Sequence, residues 1–272
     1  MGTTKIEWTE ATWNPFAGCS HASIGCKNCY AERMAARQRA MGTKGYGNVV
    51  DTNGRWTGNV VFRPNQLEKP LHWKKPRMIF VCSMCDLFHP EVDTRDIDSV
   101  FEIMAACPQH TFQILTKRPE LIEKKLYGVT EHNPCRSLGG GDYLPNVWLG
   151  VTAEDQLNLN KRILDLLYIS WGIRFLSLEP LLGPIEIAEG GFSGRWGIDW
   201  VIVGPETGPG RRECKIEWIH RVVDDCAAAG VPCFVKAFPI GNRISKNMDE
   251  WPKWARVRQY PEEVGRDALH KR

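Results

Sequence analysis

The sequence predicts an α/β fold: a parallel sheet covered by helices, in the form of a partial or full parallel β/α barrel. Three observations carry that expectation. From Arg77 onward, short β-branched or aromatic runs alternate with amphipathic stretches, the rhythm of repeated β-α units. The runs are apolar throughout, as strands buried on both faces are. The residues just after them are unusually polar, and in such folds chemistry gathers at the carboxyl ends of the strands.

Taken in order, "TWNPFAGC" reads as a first strand leading into a cysteine loop, and "CYAERMAARQRAM" as the helix after it. The later strands are "MIFVC" (78–82), "TFQIL" (111–115), "NVWLGV" (146–151), "IRFLSL" (173–178), "DWVIVG" (199–204) and "PCFVK" (232–236). Between them, "DTRDIDSVFEIMAAC" sets Ile97, Val100, Phe101 and Met104 on one helical face, and "EDQLNLNKRILDLLY" does the same with Leu157, Ile163, Leu164 and Leu167. "KIEWIHRVVDDCAAAG" is a third helix, ended by Gly230. No G-x-G-x-x-G follows the first strand, which weakens a doubly wound dinucleotide-binding sheet. Gly139–Gly141 and Gly190–Gly191 read as surface loops. The expected organisation is a single domain over residues 1–240, with a basic aromatic insertion at 33–77 after the first helix and a mixed-charge extension at 241–272.

With 272 residues, 43% of them hydrophobic, the chain can bury a full core. It lacks an uninterrupted apolar run of the roughly 18 residues a membrane span needs, and it opens without a charged-then-apolar leader, so a cytoplasmic location and no membrane partner are expected. In such a compartment ten cysteines point to metal ligands or reactive thiols rather than disulfides. The net charge of +3 conceals an asymmetry: Arg33 to Arg77 holds ten Lys/Arg against Asp51 and Glu68, a balance of +8 that leaves −5 for the rest. Tyr46, Trp56, Phe62, His72 and Trp73 are interleaved there. Cations that neutralise phosphates and rings that stack on bases suit nucleic acid; the other reading is a solvated insertion with its aromatics packed beneath it. Trp56, Lys74, Lys75 and Arg77 are the candidate contacts.

The strand ends supply Ser83, Asp86 and His89, then Thr116, Lys117 and Arg118, then Thr152, Glu154 and Asp155, followed by Glu179, by Glu206 in "GPETGPG", and by Lys236. Any one of them could be a helix cap or a solvated loop residue; together they form a plausible polar rim. The first strand delivers Cys19, Cys26 and Cys29 to that rim as C-x6-C-x2-C. Three thiolates can hold three irons of a 4Fe–4S cluster and leave the fourth open to an external ligand. On spacing alone zinc competes, because His21 could complete a Cys3His site. Cys82 and Cys85, in "CSMC", form a second C-x-x-C pair.

The blocks "TKIEWTEATWNPFAGCSHASIGCKNCYAERMA", "IFVCSMCDLFH", "PQHTFQILTKRPE", "VWLGVTAEDQ", "RFLSLEPLLGPI" and "IVGPETGPG" resemble, in register from residue 3 to about 238, the phage-associated three-cysteine-motif proteins, a radical S-adenosylmethionine-like family. The resemblance implies a radical-SAM type partial β/α barrel, with a 4Fe–4S cluster on Cys19, Cys26 and Cys29. It also implies S-adenosylmethionine as cofactor, an electron donor as partner, and a 5′-deoxyadenosyl radical that takes hydrogen from a substrate. By analogy, Ser83 and Asp86 would meet the methionine amino group, Lys117 or Arg118 its carboxylate, Thr152, Glu154 and Glu179 the ribose, and Asn28 the adenine; Glu206 completes the cofactor-facing set. Phage association and the basic segment suggest a nucleic acid or nucleotide substrate, through base modification or lesion repair. The common signature is C-x3-C-x2-C, so the first loop here is three residues longer, at a closure cost of only tenths of a kcal/mol. A zinc-dependent β/α hydrolase and a nucleic-acid-binding protein with a structural metal are the alternatives; the first is weakened by the lack of an H-x-H or H-E-x-x-H pair.

Overall fold

The computed structural model describes residues 4–127, 143–187 and 197–261; Gly139–Gly141, Gly190–Gly191 and residues 262–272 lie outside them. The chain divides into two compact units, residues 1–149 and 150–272. In the first, β1 (Ala11–Trp13), β2 (Phe16–Ala17) and α1 (Tyr30–Ala40) are followed by β3 (Val61–Phe62), α2 (Pro64–Leu67) and β4 (Met78–Val81). Then come α3 (Thr94–Ala105), β5 (Thr111–Thr116), α4 (Ile122–Tyr127) and β6 (Val147–Thr152), which runs into the second unit. The second unit continues with α5 (Gln156–Tyr168), β7 (Ile173–Leu178), β8 (Trp200–Val203), α6 (Ile216–Ala229), β9 (Cys233–Val235), β10 (Phe238–Ile240) and β11 (Arg243–Ser245).

Seven of these strands form one sheet in the order β1-β4-β5-β6-β7-β8-β9. The pairs β1–β4, β4–β5, β7–β8 and β8–β9 are all parallel. The order runs from β1 to β9 without closing on itself, which fits the partial form of the expected barrel. Among the described residues no helix is long and apolar enough to cross a membrane.

In the first unit the expected strand "TWNPFAGC" is broken at Pro15, which has no N–H for a ladder. Ala11–Trp13 joins the main sheet, while Phe16–Ala17 turns away and pairs antiparallel with Val61–Phe62 of the basic insertion. The insertion thereby grips the entrance to the cysteine loop. Tyr46, Val49 and Val50 form a small core with Ala31 and Ala35 of α1 and with Met84, and Trp56 packs against it. Phe62 lies against Phe16, with ring centroids 5.2 Å apart, and Trp73 meets His110 edge-on. Of the five rings in the segment only His72 is exposed, so the aromatics hold the insertion together; its lysines are exposed, while Arg63 and Arg77 are half-buried over Tyr46 and Trp73. Helix α3 buries Ile97, Val100, Phe101 and Met104 fully, as its period predicts; each is worth roughly 1.5–3 kcal/mol.

The second unit departs from expectation twice. Helix α5 buries Leu159, Arg162 and Leu166, whereas Leu157 and Leu164 are 62% and 57% exposed. The expected face is rotated because Arg162 takes an inward position: its Nη1 donates to the Thr152 carbonyl at 2.7 Å and to Glu154 Oε2 at 3.0 Å. A charge that satisfies two buried acceptors outcompetes a leucine there. The region expected as an extension also folds back over residues 241–261. Trp251 is buried, Tyr260 stacks on Trp200 at 5.3 Å, and Phe234 bridges to Arg258 beside β9. Gln259 donates its N–H to the Cys233 carbonyl and accepts the Cys233 N–H on its side-chain oxygen, while its carbonyl accepts the Trp200 indole N–H, covering the edge of β9. The charged residues of this tail concealed two aromatic anchors, Trp251 and Tyr260. Helix α6 ends at Gly230, φ 68°, as predicted.

Candidate functional site

In the first unit the thiols and the strand-end residues meet at the carboxyl ends of β1 and β4. Gly18, directly before Cys19, has φ +105°, and a Cβ there would lie 2.1 Å from the Asn59 carbonyl oxygen. The loop can pass this close to the insertion only with glycine. After β4 the chain turns sharply: Cys82 has φ 61°, an uncommon left-handed conformation for a side-chain-bearing residue. Asn14 Oδ1 accepts from Ser83 Oγ at 3.1 Å and from the Met84 N–H at 3.0 Å, which fixes this turn.

Asp86 sits at the centre of the second turn. Its Oδ1 accepts from the Phe88 N–H and from Thr116 Oγ1, and its Oδ2 from the Lys117 N–H and from Arg118 Nη1, at 2.7–3.1 Å. A carboxylate offers about four acceptor sites, so all are filled. Arg118 then bridges outward, with Nη2 donating to both the carbonyl and the hydroxyl of Ser20 at 2.9 Å, and it also hydrogen-bonds the Cys19 thiol. His89 lies on the other side of that hydroxyl, 2.8 Å away through Nε2, while its Nδ1 accepts the Glu91 N–H. The ring is therefore the neutral Nε2–H tautomer, and burial, with Arg118 nearby, lowers its pKa to about 4.

The thiols form an electrostatically linked group. Cys19 feels Cys29; Cys29 feels Cys26; Cys85 and Cys82 both feel Cys19. Burial pushes Cys19 up to about 12, with the Asp86 carboxylate adding to it and Arg118 opposing it. Cys29 is raised chiefly by burial, while N–H groups of Glu32 and Ala31 and the Trp56 side chain pull the other way. Cys82 and Cys85 are raised by the same burial. All nine cysteines among the described residues are unbridged.

Glu32 was invisible to the sequence reading. It is buried in the first turn of α1, accepting from His21 Nε2 at 3.0 Å, from Arg55 Nη1 at 3.1 Å and from the Trp56 N–H at 2.9 Å. It ties the cysteine loop to the insertion, and it engages the ring nitrogen of the histidine considered as a zinc ligand. An acidic residue in a helix's first turn is commonplace, so nothing in the sequence marked this one; Ser20, Asn14 and Gly18 were equally unmarked.

The remaining candidates separate. Asn28 is half-buried in the loop between Cys26 and Cys29, and Trp56 packs beside Cys29. Lys74, Lys75 and Arg77 precede β4, roughly 13 Å of strand away from the turn carrying Cys82. There the Arg77 guanidinium lies over the Trp73 ring at 5.8 Å. In the second unit three strand-end carboxylates have a cation of their own, Glu154 with Arg162, Glu179 with Lys236, and Glu206 with Arg212, while Asp155 caps α5 by accepting the Asn158 N–H. Thr152 is buried and lends its carbonyl to Arg162.

The donor set of Cys19, Cys26 and Cys29 suits a thiolate-held cluster in its chemistry: three soft ligands on one loop, with N–H groups aimed at sulfur. Among the described residues no three His, Cys, Asp or Glu side chains are drawn together closely enough to hold a metal ion.

Fold and site together define a parallel-sheet α/β protein with a thiol-rich loop at its strand ends. The match to a family described as a protein of unknown function (DUF5131) spans residues 3–266, and the chain belongs to that family. No curated protein and no solved structure matches it.

Proposed function

We propose that the chain is a radical S-adenosylmethionine enzyme of the radical-SAM barrel type, with Cys19, Cys26 and Cys29 holding a 4Fe–4S cluster, and that it acts on a nucleic acid or nucleotide. The observation that carries this reading is the loop of three unbridged thiols after β1, tied through Ser20 to the buried Asp86–Arg118 pair at the end of β4. The six-block sequence resemblance supports it independently. When bound, the cluster would pass an electron from an external donor to S-adenosylmethionine, splitting it into methionine and a 5′-deoxyadenosyl radical.

The chain's own residues supply placement. Cys19, Cys26 and Cys29 would bind as thiolates, and burial makes the Cys19 and Cys29 protons tightly held, so loading releases protons and is favoured by rising pH. Arg118 and Ser20 fix the Cys19 end of the loop; Glu32 and Trp56 fix the Cys29 end. Asp86, its acceptor sites filled, acts as a positioning residue for Arg118 rather than as a ligand for an ammonium group. Ser83 and Lys117 stand at the same turns and remain the candidates for the methionine end of the cofactor. Asn28, Thr152, Glu154, Glu179 and Glu206 retain the roles the resemblance implies. Exposed Lys74 and Lys75 suit phosphate contacts.

The test is anaerobic reconstitution with iron and sulfide, followed by S-adenosylmethionine and a strong reductant. 5′-Deoxyadenosine should form with the parent chain and fail to form with Cys19→Ala, Cys26→Ala or Cys29→Ala. Equal product from any of the three variants would overturn the ligand assignment.

A further inference from the structure

The second unit carries a basic cleft that neither the thiol loop nor the strand-end ion pairs occupy. We infer that it binds the phosphodiester backbone of a nucleic-acid strand. One wall is the glycine-rich loop after β8, which contributes Thr207, Gly208 and Arg211; the other is the β10–β11 hairpin and its flank, which contribute Asn242, Arg243 and Lys246. Three of the lining residues are cations and none is acidic.

Four carboxylates lie close by in the chain: Glu213 and Asp249 are exposed and outside the cleft lining, whereas Glu206 and Glu250 are engaged. Glu206 is buried and accepts from the backbone N–H, Nε and Nη2 of Arg212. Glu250 accepts from Arg243 Nη1 at 2.9 Å and from the Ser245 hydroxyl, offsetting one of the three charges. Arg211 donates Nη2 to the Asn242 carbonyl, a contact that spans the cleft and orients the guanidinium without neutralising it. Gly208 and Gly210, with φ of 94° and 70°, adopt the left-handed backbone that glycine allows in this turn.

Guanidinium, ammonium, hydroxyl and amide groups are the donors proteins direct at phosphate oxygens. The shape selects among phosphate ligands. A small molecule is held by burying most of its surface, and this cleft is wide open to solvent; a strand crossing it needs only contacts to successive phosphates. The inference deepens the proposed function and rests on it for the choice of nucleic acid, but it is testable with no iron, cofactor or reductant.

The experiment is fluorescence anisotropy with a labelled single-stranded DNA of about 20 nucleotides, titrated with the full chain from about 50 to 200 mM salt. Parent, Arg211→Gln/Lys246→Gln and, on the other unit, Lys74→Gln/Lys75→Gln are compared, with thermal midpoints confirming that the exposed substitutions leave the fold intact. The Arg211/Lys246 variant should bind about tenfold more weakly, with a log K against log salt slope shallower by about 1.4, the loss of two phosphate contacts to a single strand. Unchanged affinity and slope, no binding by the parent, or displacement of the strand by an equal concentration of inorganic phosphate would each overturn the inference. Intact strand binding without 5′-deoxyadenosine formation would retire the enzyme reading alone; product formation with unaltered binding in the variant would retire this one alone.

Discussion

Asp86 and Arg118 form the most heavily used ion pair of the first unit, both side chains buried and the guanidinium shared with Ser20 and Cys19. Breaking a buried pair from one side leaves the other charge uncompensated, at about 3–5 kcal/mol. Arg118→Met should therefore lower the free energy of unfolding by about that amount, read from urea denaturation, and a loss under 1 kcal/mol would show that the pair is far more solvated than its burial indicates. His89 sets a pH dependence. Its pKa is held down to about 4 in the folded chain and rises to about 6.5 in the unfolded one, so the unfolded state binds the extra proton between those values and stability falls as pH drops from 6.5 towards 4. His89→Gln should flatten part of that decline; an unchanged profile would assign it to other groups. The thiols and Asp86 were legible in the sequence because cysteine spacing and strand-end polarity are local signals. Glu32 and Ser20 were not, because their partners lie in other segments: Arg55 and Trp56 for the one, Arg118 for the other.

At the level of single elements, the strands from β4 to β9 could be read from their apolar runs, although Gln113, Arg174 and Ser177 are buried within them, and the face of α3 from its period. Helix α5 could not, because the buried Glu154 draws Arg162 inward and turns the helix. The two readings of α5 predict opposite mutants. Leu166, fully buried, should cost about 2–5 kcal/mol as Leu166→Ala. Leu164→Ala should stay within about 0.5 kcal/mol of the parent; a reversed order in thermal or urea unfolding would restore the expected face. The turn into the cysteine loop makes a third prediction. Gly18→Ala forces a left-handed alanine and a backbone clash with Asn59, so it should destabilise the first unit by about 2 kcal/mol or more. A variant as stable as the parent would mean that the loop has room to move.

For the whole molecule, alternation of apolar runs and helices was enough to give a parallel α/β fold; the order β1-β4-β5-β6-β7-β8-β9 is supplied by the structure. The tail was misread because its charges outnumber Trp251 and Tyr260, whose packing against β8, β9 and the hairpin appears only in three dimensions. The functional account depends on what the thiol loop holds. Metal and sulfide analysis of protein purified without oxygen measures this directly. The account predicts about four iron and four sulfide per chain, lost together when Cys19, Cys26 or Cys29 becomes alanine; colourless protein carrying a single zinc at those sulfurs would contradict it.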